Sequence, residues 1–363
     1  MDTAAKSATL PTPLLELHRA TGATIGEWFG CQLPSDFGDW LTEYRYARET
    51  VALLDKNYRT FLALSGPDRV RFLNAILTNN IKDLKVGQGI VSLFLNPQGR
   101  IQAEIETYAE EERLLCVSFA EIREKLIPAL DHYIIMDDVT LTDETARYGT
   151  LALEGPRAAE TVKRLANVDV TTLAELEWRE SSVGAIPCRI VRRSPGSHPS
   201  AEFVCEQIHL QQLWKLLRDA AKSAGGGPVG YTALNSLRLE SGIPWFGYDF
   251  GDKQIPHEAG LEKSHISYTK GCYTGQEIVE RVRSRGQVNR VRVLFKLEAK
   301  ELPPADAPIL FETKEVGQVT RSAYSPAFQS NLAMGYVRRE QSHAGTPLQI
   351  LGNQAFVLPP SQP

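Results

Sequence analysis

Five cysteines occur in 363 residues, and one of them stands apart from the rest. Cys272 lies in the stretch KGCYTGQE, Lys270 to Glu277, between a lysine-glycine pair and what reads as a helix start. Thr274-Gly275-Gln276-Glu277 fits the Ser/Thr-x-x-Glu/Gln capping box, which predicts a helix capped by Thr274 and running through about Arg285. Within that helix Glu277 and Arg281 would form a favourable i,i+4 pair. Cys272 would then sit near the positive end of the helix dipole, with Lys270 adding a cation. Those are conditions that favour a thiolate over a thiol. The sulfur could serve as a nucleophile, a transient sulfur carrier or one shared ligand; the competing reading is a small packing residue. For Glu277, the capping role alone is a sufficient account.

Cys31, Cys116, Cys188 and Cys205 lie in apolar, strand-like contexts and read as core. No Cys-x-x-Cys pair exists to seed a zinc or iron–sulfur site, and an odd, sparse set suits a reducing compartment. No metal site is expected. The histidines are dispersed, and His257 reads as a loop residue. No glycine-rich nucleotide loop and no nucleophile elbow appears. Arg238, Glu240 and Trp245 in RLESGIPWFGYDF could frame a flat ring, or could pack at a helix end. Arg281, Arg283, Arg285 and Arg290 form a basic run. It reads first as a solvated face, and alternatively as a partner for an anionic ligand tail or RNA. A net charge of −4 argues against a general nucleic-acid binder.

The elements that must position these residues repeat once. FLALSGPDRVRFLNAIL, 61 to 77, is a strand-like run, then Gly66-Pro67, then a helical pattern; GTLALEGPRAAETVKRLA, 149 to 166, follows the same plan through Gly155-Pro156. Strand-like segments and a second helix follow each: GIVSLFL, IQAEIETYA, RLLCVSF and AEIREKLIPALDHYI in the first, CRIVRR, AEFVCE and LQQLWKLLRDAAKSA in the second. The matched order points to two duplicated α+β halves, with coincidence as the alternative. SAGGGPVG, 223 to 230, reads as flexible punctuation before a helix carrying Leu234, Leu237 and Arg238. After Arg290, short strand-like runs separated by turn residues predict a small all-β domain, with VLPPSQP as a frayed tail. The opening MDTAAKSATL shows no leader pattern, and no uncharged apolar stretch approaches the roughly 20 residues a bilayer requires. A cytoplasmic protein with no membrane contact is the expectation.

Lys270-Gly271-Cys272-Tyr273-Thr274-Gly275-Gln276-Glu277 resembles the signature of the YgfZ family, folate-binding proteins linked to iron–sulfur cluster maintenance. Nearly the whole chain also resembles the related glycine-cleavage T-protein, a tetrahydrofolate-dependent aminomethyltransferase, through TPLLELHRATGA, LSGPDRVRFLNAILTNNIKDL, LALEGPRA, RLESGIPWFGYDF, PHEAGL and AMGYV. The resemblance implies an α+β fold: a three-domain T-protein-like ring of two related ferredoxin-like α+β domains and a C-terminal β-barrel. Its boundaries would be 1–57 with 150–240, then 58–149 with 241–285, then 286–363.

It further implies a tetrahydrofolate or related folate ligand and iron–sulfur client or assembly proteins as partners; an RNA-contacting or scaffolding module using the arginine run is a third, less favoured reading. Cys272 and Lys270 would form the working site. Glu202, in SAEFVCE, occupies the place of a pterin-binding glutamate. Arg238, Trp245, Glu277 and Arg281 complete the expected ligand set. T-proteins carry an Asp-Asp pair where this chain has Ala103-Glu104, and an arginine where it has Leu234. A conventional aminomethyltransferase is therefore the alternative, with Glu104 as its candidate carboxylate.

Overall fold

The computed structural model describes residues 9–286 and 288–359. The chain divides into two compact units. The first takes the residues up to Arg69, Leu84–Ile90 and Glu106–Leu234; the second takes Val70–Asp83, Val91–Ile105 and the residues from Asn235 onward.

In the first unit a six-stranded sheet runs in the order Trp178–Val183, Ile186–Arg193, Ser200–Glu206, Tyr148–Glu154, Ala52–Asp55 and Gly227–Pro228. Helices Ala158–Ala166 and Leu210–Ser223 cover it. The latter buries Leu210, Leu213, Trp214, Leu217 and Ala221, the i, i+3, i+4 spacing of one helix face. Those side chains meet Leu53, Leu151, Leu153, Ile190, Ala201 and Phe203 from the strands in one core. Cys188 and Cys205 belong to it, and Cys31 and Cys116 are also buried.

A five-stranded sheet follows the order Gly89–Leu95, Ile101–Ala109, Arg113–Phe119, Arg59–Ser65 and Thr140–Asp143. Gly89–Leu95 and Ile101–Ala109 contribute residues to both units. The repeat read from the sequence is visible in its turns. Gly66 follows strand Arg59–Ser65 at φ 100° and Gly155 follows Tyr148–Glu154 at φ 112°. A Cβ at Gly155 would come within 2.7 Å of the Thr50 carbonyl oxygen, so the turn admits only glycine.

In the second unit, strands Arg290–Leu297, Ser330–Arg338, Lys314–Ser325, Pro308–Phe311, Pro347–Ile350 and Asn353–Val357 close into a barrel. Alternate residues such as Phe295 and Leu297, Leu348 and Ile350, and Ala355 and Val357 fill its interior. Among the described residues, no helix is long and apolar enough to cross a membrane.

Three local expectations are corrected. The stretch at 223 to 230 is not flexible punctuation. Gly227–Pro228 pairs in parallel with Ala52 and Leu53, and a Cβ at Gly226 would meet the Val51 carbonyl oxygen at 1.9 Å; the glycines are there for close backbone approach. The first residues of VLPPSQP are held in place. Val357 pairs with Phe295 in the closing strand and the Leu358 amide donates to Leu294; residues 360–363 lie outside the described residues. The helix after Cys272 begins one residue late, as described below.

Candidate functional site

In the second unit, helix Gln276–Arg285 is capped by Gly275 at φ 80°, with no side-chain hydrogen bond. The Thr274 capping box therefore does not form. Gly275 takes the cap because a Cβ there would approach the Asn96 carbonyl oxygen to 2.6 Å, in a left-handed backbone that L-residues disfavour. Glu277 is left on the surface, where it accepts from Arg281 at 2.8 Å as the spacing predicts. Exposed pairs of this kind contribute about 0.3–0.5 kcal/mol.

Lys270 is placed by a different element. Its ammonium donates to the backbone carbonyls of Asn74 at 2.6 Å, of Leu77, and of Asn79 at 2.9 Å. These carbonyls end and follow helix Arg69–Ile76, where the last carbonyls of a helix lack intrahelical donors and favour a cation. All three ammonium protons are thus engaged by backbone carbonyls. Burial pushes the Lys270 pKa down to about 8. Tyr273 is buried with its ring 5.2 Å from the Lys270 nitrogen. Between these two anchors Cys272 is exposed, whereas Cys31, Cys116, Cys188 and Cys205 are buried. Burial pushes those four thiols up to about 12.

The same unit holds a pair that sequence spacing could not reveal. Glu104 Oε1 lies 2.8 Å from His265 Nε2, and Ser264 Oγ lies 2.7 Å from His265 Nδ1. His265 is buried and Glu104 is 21% exposed, so the carboxylate is the member that reaches solvent. The two are 161 positions apart.

Arg238 is buried and clamps structure. It donates to Asn235 Oδ1 at 2.9 Å, to the Ile243 carbonyl at 3.3 Å, and to Asp249, while the Trp245 ring covers its guanidinium at 4.8 Å. Asp249 also accepts from the Trp245 amide at 2.8 Å. The packing reading of this helix end thus accounts for Arg238 and orients Trp245, which stays half-buried. Nor is the basic run a row of unpaired cations. Arg283 reaches Glu280 and lies over Tyr268, and Arg290 is bound to Glu258 at 3.0 Å. The Arg285 side chain lies outside the described residues. His257 is in the short helix Pro256–Ala259, 3.1 Å from the Tyr268 hydroxyl.

In the first unit, Glu202 sits on strand Ser200–Glu206, 3% exposed. Its Oε1 accepts from Lys56 at 3.1 Å and Arg59 at 3.2 Å, with Arg193 at 3.6 Å. Glu106 shares Arg59 at 3.1 Å and Arg193 at 3.0 Å, and accepts from the Tyr108 hydroxyl at 2.8 Å; Glu154 binds Lys56 at 2.7 Å. Burial alone would raise the Glu202 pKa, but Arg59, Lys56 and Arg193 outweigh it and hold the group well below the usual carboxylate range. An ionised, fixed carboxylate of this kind can accept paired N–H donors from the edge of a heterocycle. Lys56, Arg59, Glu106 and Arg193 were not singled out from the sequence. The available signal was charge inside strand-like runs, in DKNYRTFLAL, IQAEIETYA and CRIVRR.

Comparison with known proteins agrees with this architecture. The GCVT N-terminal domain family matches residues 14–266, and the glycine cleavage T-protein C-terminal barrel domain matches residues 290–354. An aminomethyltransferase of Streptomyces avermitilis is 27% identical over 338 residues, covering 92% of this chain and 91% of its own length. One from Moorella thermoacetica is 28% identical over 341 residues, covering 93% and 92%. In structure, the glycine cleavage system aminomethyltransferase T of Bartonella henselae superposes with a TM-score of 0.87 over 98% of both chains, at 24% identity. Two α+β sheets, a closed six-stranded barrel and domain matches over most of the length lead to one conclusion: the chain belongs to the glycine-cleavage T-protein family.

Proposed function

We propose that the protein binds tetrahydrofolate or a closely related reduced folate, and that the Cys272 thiol is its working group in the assembly or repair of iron–sulfur proteins. Placement of the thiol carries this reading: of five cysteines, Cys272 is the exposed one, on a loop held by the half-buried Lys270 on one side and the buried Tyr273 on the other. A packing cysteine gains nothing from that setting, whereas a reactive one needs access and a fixed backbone. Family membership supports the folate, and the resemblance of KGCYTGQE to the YgfZ signature supports the iron–sulfur role. In the first unit Glu202 is then the carboxylate that meets the pterin; in the second unit Lys270, Glu277 and Arg281 order the thiol loop.

A second reading, tetrahydrofolate-dependent aminomethyl transfer, is favoured by the names of the relatives and by the Glu104–His265 pair, which supplies a held carboxylate. One set of measurements separates the two. Cells whose only copy carries Cys272→Ala are assayed for iron–sulfur enzyme activity under oxidative stress, with protein abundance and folate affinity measured alongside. Lost activity at normal abundance and affinity is the expected result. Normal activity in those cells, together with aminomethyl transfer by the purified protein, would overturn the thiol reading in favour of the transferase.

A further inference from the structure

The Glu104–His265–Ser264 chain has a geometry that packing alone does not explain. The backbone around His265 is secured without help from its ring. The Thr78 hydroxyl donates to the His265 carbonyl at 2.6 Å, the Ser267 amide donates to the Thr78 carbonyl at 3.0 Å, and the Asn79 side chain donates to the Ser264 carbonyl at 3.3 Å. The imidazole is therefore free to serve the carboxylate beside it. Along strand Ile101–Ala109, Ile101, Ala103 and Ile105 are fully buried, and Glu104 projects from the opposite face. An ionised carboxylate only accepts hydrogen bonds, so Nε2 must carry the proton in its 2.8 Å contact with Glu104. In the neutral ring Nδ1 is then an acceptor, and the exposed Ser264 hydroxyl, 2.7 Å away and also within 3.5 Å of the Leu261 carbonyl, can donate to it. The carboxylate contact sets the tautomer.

We propose that His265 is the positioning residue for Glu104, holding one carboxylate oxygen so that the group meets a substrate amine in a set orientation. This rests on the aminomethyl-transfer reading. There Glu104 takes one proton from the ammonium form of the aminomethyl group, whose nitrogen keeps the electron pair. A carboxylate misplaced by about 1 Å loses on the order of 100-fold in such a step. The substrate class is a cationic amine, because a donor-fixed carboxylate at the reacting atom selects for positive charge.

The test compares His265→Ala and His265→Gln with the wild-type full-length chain. Aminomethyl transfer to tetrahydrofolate is measured along with 15N spectra of the imidazole and thermal melting as a folding control. His265→Ala is expected to lower kcat about 10- to 100-fold with KM for tetrahydrofolate within about 3-fold. His265→Gln, whose amide can still donate to Glu104, is expected to recover most of that loss. The wild-type His265 signal should be that of the Nε2–H tautomer, and Glu104→Leu should relax it toward a mixture. Equal kcat in His265→Ala and wild type, an Nδ1–H tautomer, or a spectrum indifferent to Glu104→Leu would each overturn the assignment. Absence of transfer by the wild type would sink the transfer reading itself, and the imidazole spectrum would still decide whether the two residues act as a pair.

Discussion

Replacing Glu202 with glutamine tests the buried charge cluster in the first unit. Lys56, Arg59 and Arg193 face Glu106, Glu154 and Glu202, three positive groups against three negative, so the cluster is neutral as it stands. Glu202→Gln keeps the size and leaves one net positive charge in a site where Glu202 is 3% exposed. Breaking a buried ion cluster by removing one partner costs about 3–5 kcal/mol, most of it the uncompensated charge. For a unit of 150–250 residues each kcal/mol lowers Tm by about 2–4 °C, so a loss of roughly 6–20 °C is expected. The double variant Glu202→Gln/Arg193→Gln restores neutrality and should recover a large part of the loss. Urea unfolding of wild type, both single variants and the double variant gives the coupling directly. A coupling below about 0.5 kcal/mol would refute the neutral-cluster reasoning. The pH dependence has a definite sign. Glu202 and Glu106 are held low in the folded state, so their contribution is present above the unfolded carboxylate pKa of about 4.3 and is lost as pH falls below it toward the folded values.

Three further outcomes are expected. A disulfide reagent such as DTNB should modify one thiol of the native protein quickly, and all five only after denaturation; rapid labelling of a second would contradict the burial of Cys31, Cys116, Cys188 and Cys205. Lys270→Met should destabilise the second unit by about 2 kcal/mol, since charge-assisted hydrogen bonds contribute about 1.5–3 kcal/mol each and the freed carbonyls partly rehydrate; the check is urea unfolding followed by a probe on Cys272, and an unchanged midpoint would remove the anchoring role. Gly155→Ala should cost more than about 2 kcal/mol, because it combines a left-handed backbone with a 2.7 Å contact to Thr50, and an unchanged Tm would show that the turn relaxes freely.

The α+β halves, their Gly-Pro turns and most barrel strands were legible because each rests on local chemistry: periodicity, a glycine at positive φ, proline in the first helical turn. Strand Ala52–Asp55 was not singled out, since its place is set by Leu53 pairing with Leu153 far along the chain. The small sheet of Leu10–Pro11, Cys31–Asp36 and Thr24–Trp28 went unread for a related reason, two of its strands carrying mixed polar and apolar residues. At the candidate site, the Glu277–Arg281 pair followed from neighbours in sequence, whereas the sequence left Cys272 open between a thiolate and a packing residue. His265 against Glu104, and Lys270 against the end of helix Arg69–Ile76, are tertiary pairings that no local pattern encodes. The capping box failed because backbone crowding at Gly275 outweighed a side-chain preference.

The position of Ala52–Asp55 bears on how the chain is made. Four buried residues near the start pair with Tyr148–Glu154 on one side and Gly227–Pro228 on the other, about 100 and 175 positions later. At synthesis rates of about 5–20 residues per second, the apolar run ALLD waits roughly 5–20 s for its first partner and up to about 35 s for its second. During that interval it is a sticky segment on a nascent chain, and closing so long a loop carries its entropic cost before any pairing repays it. Fragments that stop short of Glu154 lack the neighbour that completes the core of the first unit. Assembly of this unit is therefore late and dependent on the distal chain, and shielding of the emerging N-terminal third by a chaperone should set its yield in the cell.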